Sequence, residues 1–295
     1  MDRILRPKNP PGDQDCLHLL RLAKAERPDG TGAVPDIFSL RRLDLFSYNE
    51  FLSFTHKPAG EQAVNEFLSR GAFPGLIKTG HTEALHQLYT EILCKDAVIA
   101  GGIRDRNTLQ RMALHLITNT GEPVTANKLR EKLKIKAVST AAEHMQCIET
   151  AGLVRFVSIL SDNPARQAVN PRKVYAVDTA LAAAVSTAET VDRNKLFETM
   201  LFNHLCRESR SVCYTNEQGG CDFIASDAEG GVRCIQACYD DDPDLMQTKT
   251  DGLLWALRQT GSSRGTIVTA DRNDRIDAEN FEIEVIDADT FLGGY

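Results

Sequence analysis

TLQRMALHLITNTGEPVTANKLREKLKIKAVSTAAEHMQCIETAGLVRFVSIL, residues 108–160, is the stretch that decides the fold. Apolar residues recur at helical spacing from Thr108 to Asn119, and Gly121 ends that run. Thr125 is placed to cap a second helix, Ala126–Leu133, because its hydroxyl can accept an N–H that a helix start leaves unpaired. After the short turn KIKAV, Ser139 is the expected cap of a third helix, which reaches Thr150 and stops at Gly152. Two β-rich runs follow, Leu153–Leu160 and Lys173–Val177, on either side of the turn-rich SDNPARQAVNPR. Helix, helix, turn, helix, hairpin is the order of a winged helix-turn-helix.

Downstream the pattern changes. A helix over Lys195–Arg207 precedes short strands at Ser211–Tyr214, Asp222–Ala225 and Val232–Tyr239. A helix over Leu245–Gln259 then leads to strands Gly265–Thr269 and Glu282–Ile286. Strands interleaved with helices predict an α/β domain with a mixed sheet. Upstream, Ser39–Phe54, Glu61–Ser69 and Glu83–Ala97 carry helical spacing, with the turn signal GAFPG at Gly71–Gly75. Residues 1–38 hold Pro10, Pro11, Pro28 and Pro35 and one short helical pattern, Cys16–Ala25, and read as poorly ordered. The expected fold is therefore α+β in parts: residues 39–104 helical, 105–185 winged helix-turn-helix, and 186–295 a small α/β domain.

Composition narrows the function classes. No apolar run approaches the roughly 18 residues of a membrane span, and MDRILRPKNPPGDQD lacks a secretory core, so no membrane partner is expected. The eight cysteines are scattered through a long chain, which reads as reduced thiols and predicts a cytoplasmic location. The net charge of −7 hides an asymmetry. Residues 104–160 hold 9 basic and 5 acidic residues, whereas 196–295 hold 8 basic and 19 acidic. The middle can approach a polyanion; the C-terminal third repels one.

In a helix-turn-helix the third helix offers polar groups to base edges while flanking cations hold phosphates. Ser139, Thr140, Glu143, His144 and Gln146 are the candidates on that helix. Lys132, Lys134 and Lys136 precede it, and Arg166, Arg172 and Lys173 lie in or beside the hairpin. The same unit could serve instead as a structural joint or a protein-binding module, and both readings stand here. The C-terminal domain holds Glu198 on a helix, Asp222 in GGCDFIA, and Gln236 in RCIQACYD. A helical carboxylate, a strand Asp and an acid-x-Lys on the next strand would hold Mg²⁺ and orient water for phosphodiester cleavage. Here the last pair reads Gln236-x-Cys238, which lacks both the ligand charge and the lysine. That favours an inactive site, with no cofactor, over a Mg²⁺-dependent nuclease. Cysteines 213, 221, 234 and 238 are separated by 7, 12 and 3 residues, which fits no common zinc pattern and suits core packing. The run DDDPD, residues 240–244, reads as an acidic helix start.

No G-x-x-x-x-G-K-[ST] loop occurs; GTGAVPD at Gly30 has neither the lysine nor the hydroxyl residue, so nucleotide hydrolysis is not expected. The motifs LFSYNEFL (45–52), FLSRGAFP (67–74), LYTEILCKDAVIAGGIRDR (88–106), KVYAVDTALA (173–182), FETMLFNHL (197–205), CDFIA (221–225) and IQACYD (235–240) occur in order. They resemble a prokaryotic family of AAA+-type ATPases in which the ATPase module precedes a winged helix and a restriction-endonuclease-like domain of unknown function. The resemblance covers roughly residues 40–295 and implies that last topology for the C-terminal part. Cys221 stands where the family has an acid before its Asp, which weakens a metal site at Asp222. The reading that follows is a non-catalytic protein that contacts duplex DNA, or a protein partner or itself. A Mg²⁺-dependent nuclease and a purely structural assembly protein are the alternatives.

Overall fold

The computed structural model describes residues 44–78, 82–97, 103, 105–161, 170–186, 192–217, 219–240, 242–278 and 280–294. Over them the chain is a mixed α+β protein with one mixed sheet. Arg166 and the stretch 1–38 lie outside the described residues.

The N-terminal part is helical. α1 (Tyr48–Thr55) opens on a capping box, in which Ser47 Oγ accepts from Glu50 N and Glu50 accepts from Ser47 N. That cap, and not the apolar spacing that begins at Ser39, sets where α1 starts. α2 (Glu61–Arg70) and the short α3 (Pro74–Ile77) flank the Gly71 turn, and α4 (Thr82–Glu91) runs on into a π-helical turn, Ile92–Ala97.

α5 (Arg106–Thr118) is capped by Asp105 and buries Leu109, Met112, Ala113, Leu116 and Ile117, one face at 3-and-4 spacing. After β1 (Pro123–Val124) comes α6 (Ala126–Leu133), whose cap Thr125 accepts from Lys128 N at 3.1 Å, as its sequence demands. Lys134 turns left-handed to end it. α7 (Val138–Thr150) departs from expectation: Ala137, not Ser139, takes the cap position in extended geometry, and no side chain caps the helix. β2 (Val154–Val157) and β3 (Arg172–Ala176) pair antiparallel, with β1 on the other side of β3. α8 (Thr179–Val185) follows, capped by Asp178.

α9 (Arg193–Glu208) leads into the six-stranded sheet, in the order β4-β5-β6-β7-β9-β8. These strands are β4 (Ser211–Cys213), β5 (Phe223–Ser226), β6 (Val232–Cys238), β7 (Arg264–Thr269), β8 (Asp274–Ala278) and β9 (Phe281–Asp287). β6, β7 and β9 are parallel neighbours. The β6–β7 crossover is α10 (Pro243–Thr260), as a parallel pair requires, and Asp242 of the acidic run caps it. On β6, Ile235 and Ala237 face the main core, while Cys234 and Cys238 face α10 with Leu253 and Leu257. β8 and a last helix, α11 (Ala288–Gly294), had no signal strong enough to anticipate.

Three junctions tie the parts together. The chain after β2 joins the larger sheet through a parallel bridge of Ile159 with Tyr214. Leu160 N donates to Tyr214 O at 2.7 Å and Tyr214 N to Ser158 O at 3.2 Å. Asp289 on α11 accepts from Tyr48 Oη at 2.5 Å and Gly60 N at 2.6 Å. Asp178 accepts from Ala72 N at 2.6 Å and Leu181 N at 2.7 Å, pinning the Gly71 turn to α8. One apolar core runs from Tyr48 to Leu292. Among the described residues no helix is long and apolar enough to cross a membrane.

Candidate functional site

The α6–α7 region presents one charged surface. Lys128, Lys132, Lys134 and Lys136 are exposed, and none has an ion-pair partner among the described residues. Ser139, Glu143 and Gln146 on α7 are also exposed and Thr140 is half-buried. The start of α7 has no side-chain cap for its first backbone N–H groups and follows directly on the exposed Lys134 and Lys136, with Val138 44% exposed. His144 is a correction to the sequence reading. It is 3% exposed, on the face shared by Ala141, Met145 and Ile148, so it cannot meet a base. Burial pushes its imidazole below the usual range, against the pull of Asp105 and Glu143. Arg172 lies over the Phe156 ring at 4.5 Å.

Lys173 is a second correction. It does not reach toward solvent from the hairpin but enters the C-terminal domain, its side chain 13% exposed. Its Nζ donates to Glu198 Oε1 at 2.8 Å and Asp222 Oδ1 at 3.1 Å, and lies 5.4 Å from the centre of the Tyr214 ring. Tyr175, two residues along β3 and on the same face, donates its hydroxyl to Glu198 Oε1 at 2.6 Å. Lys249 from α10 pairs with Asp222 Oδ2, which also accepts from Ala237 N at 3.1 Å. Lys195 stands 3.9 Å from Glu198 Oε2 and 3.1 Å from Glu122. Two ammonium groups and two carboxylates thus form a neutral, buried quartet drawn from β3, α9, α10 and the start of β5.

The electrostatics follow from that pairing. Burial opposes charge on Asp222, yet Lys249 and Lys173 hold its carboxyl well below the usual carboxylate range. Burial likewise opposes charge on Lys173, but Asp222 and Glu198 push its ammonium above the usual range. Burial first, then Glu198, drives the Tyr175 phenol well up.

Gln236, the neutral amide at the position where a nuclease motif carries an acid, has a structural task beside Asp222. Its Oε1 accepts from Asp222 N at 3.0 Å, and its Nε2 donates to Gly220 O at 2.7 Å and Lys249 O at 3.0 Å. It is wholly buried and spends every polar atom clamping β6 to the β5 start and to α10. Cys238 is buried against α10, and no lysine stands on β6; the nearby ammonium comes from Lys249, which sequence spacing did not reveal. Could this group hold Mg²⁺? Asp222 gives one oxygen to each lysine, Glu198 Oε1 takes two donors, and the Gln236 carbonyl is occupied, so the arrangement as it stands does not fit a divalent ion.

Burial pushes the thiols up, Cys213 to about 11 and Cys234 and Cys238 in the same direction, which disfavours the thiolates a zinc site needs. A cleft of about 700 Å³ opens elsewhere, between Phe46, Gly152, Phe156 and Arg210, and neither Glu198 nor Asp222 lines it.

Residues 61–192 match the model of a family described as a domain of unknown function, DUF8612. The match runs from the first residue of α2 to the cap of α9, so it includes the α5–α7 surface and stops before Glu198 and Asp222. No curated protein and no solved structure matches the chain.

Proposed function

We propose that this chain is a non-catalytic, cytoplasmic DNA-binding protein: residues 105–185 are a winged helix that grips duplex phosphates, and the C-terminal part is a restriction-endonuclease-like domain without working chemistry. The proposal keeps the kinship with the part of AAA+-type ATPases that follows their ATPase module. The observation that carries it is the start of α7. α7, like α2 and α3, has no side-chain cap, but its exposed start alone follows directly on lysines without ion-pair partners among the described residues, Lys132, Lys134 and Lys136. Free N–H groups, the helix dipole and adjacent ammonium groups are what a phosphate binds. The acidic charge of residues 196–295 then orients the molecule, turning the C-terminal sheet away from the duplex.

The test is fluorescence anisotropy of a labelled duplex titrated with the full chain over a salt series. Affinity should fall linearly in log salt. Replacing Lys132, Lys134 and Lys136 together by Ala should flatten the slope by up to about 0.9 per lost contact. No binding at low salt would leave an assembly or protein-interaction role as the better account; an unchanged slope would move the contact elsewhere.

The rival reading is a Mg²⁺-dependent nuclease: Lys249 brings to Asp222 the ammonium that Cys238 cannot supply, although the same pair occupies an oxygen that a metal ion would need. Mg²⁺-dependent cleavage abolished by Asp222→Ala would establish that reading over the first.

A further inference from the structure

The backbone of Lys173 pairs within the small sheet, yet each contact of its ammonium belongs to the C-terminal unit: Glu198 on α9, Asp222 before β5, and the Tyr214 ring after β4. A lysine this buried is stable only when its charge is matched, and here two carboxylates converge on it. Without Lys173, the two carboxylates would keep only Lys249 inside the group and the half-buried Lys195, 3.9 Å from Glu198 and also paired with Glu122, at its edge, leaving the largely buried quartet one charge negative. With Lys173 the net charge is zero.

We propose that Lys173 is a built-in cation. β3 delivers its ammonium to the position between Glu198 and Asp222 that a divalent metal ion would otherwise take, and this contact fixes the orientation of the small sheet on the C-terminal domain. Tyr175 supports the arrangement by holding Glu198 Oε1 from the same strand face, so strand and carboxylate pair seat together. The Ile159–Tyr214 bridge provides a second, backbone fastening close by, because Tyr214 also donates its hydroxyl to Pro171 O at 2.6 Å, just before β3. The inference does not depend on whether the α7 surface meets DNA.

The experiment is a Mn²⁺ titration of the full chain, followed by the electron paramagnetic resonance signal of free Mn²⁺ and by Tm. Wild type should leave both unchanged into the millimolar range. Lys173→Met, which keeps the stem and removes the charge, should bind Mn²⁺ and regain with it part of the Tm it loses. Adding Asp222→Asn to that variant should abolish the response. An equal Mn²⁺ response in wild type and Lys173→Met overturns the proposal, and so does no response in Lys173→Met. If that variant folds only with Mn²⁺ present, the proposal is supported. If it does not fold under either condition, wild type decides by NMR. Amide signals of Tyr175 and Ala237 that stay sharp at millimolar Mn²⁺ support the built-in cation, and selective broadening there overturns it.

Discussion

Gln236→Glu would restore the acid that a nuclease motif wants on β6, and the structure says that it should damage the protein. Gln236 Nε2 is the donor for two buried carbonyls, Gly220 O and Lys249 O, and a carboxylate has no proton to give either. Each buried group left unpaired costs about 1–3 kcal/mol, so the variant should lose about 3–5 kcal/mol at pH 7.5, a large share of a typical domain's stability. Protonating the introduced carboxyl returns one donor. Its pKa in the folded state is therefore raised above the roughly 4.3 of an unfolded glutamate. The native state then binds the proton more tightly than the unfolded state, so the loss relative to wild type is smallest at low pH and grows as pH rises. Urea denaturation of both proteins at several pH values, with m checked for constancy, measures this difference. A variant within about 0.5 kcal/mol of wild type at pH 7.5 would refute the clamp, because surface-like changes stay in that range. A deficit that did not change with pH would refute the proton argument.

Other expectations follow from single contacts. Burial raises the Asp178 carboxyl from its ordinary 3.8 to about 6. The folded state therefore holds that proton more tightly, and this group's contribution to stability falls as pH climbs from about 4 to about 6. NMR titration of the Ala72 amide, which bonds to Asp178, should report that midpoint, and a midpoint below 4 would contradict it. A Cβ at Gly252 would overlap the Gly220 carbonyl, where α10 passes the β5 approach. Gly252→Ala should accordingly cost about 3 kcal/mol in urea denaturation. Thr125→Ala should cost about 1 kcal/mol by removing the α6 cap, with no change in m.

Much of the architecture was legible because it is local. The bounds of α6 follow from Thr125 and the apolar spacing alone, and Asp242 announces α10 by the same chemistry. His144 was also within reach: it lies three residues after Ala141 and four before Ile148, on the stripe that the helix buries. Ser139 misled because its residue type outranked its position; the extended geometry that defines a cap falls at Ala137. The quartet was partly visible. Glu198 and Asp222 were paired by motif, but no spacing rule connects position 173 or 249 to position 222. Lys173 reads as a surface lysine until the fold brings the partner carboxylates to it. The sequence puts Gln236 on β6 without the charge of a ligand, but not its clamping contacts, since which groups a buried amide meets depends on where α10 crosses.

The bond from Tyr48 to Asp289 joins residues 241 positions apart, and Gly60 meets the same carboxylate. During synthesis the first helices leave the ribosome long before the residue that accepts their hydrogen bonds exists. At about 5–20 residues per second, those 241 positions correspond to roughly 10–50 s in which the apolar faces of α1 and α2 lack α11 as a neighbour. Loss of α11 would leave the Tyr48 hydroxyl and the Gly60 N–H without the Asp289 carboxylate, so truncations that remove it should cost more than the small size of α11 suggests.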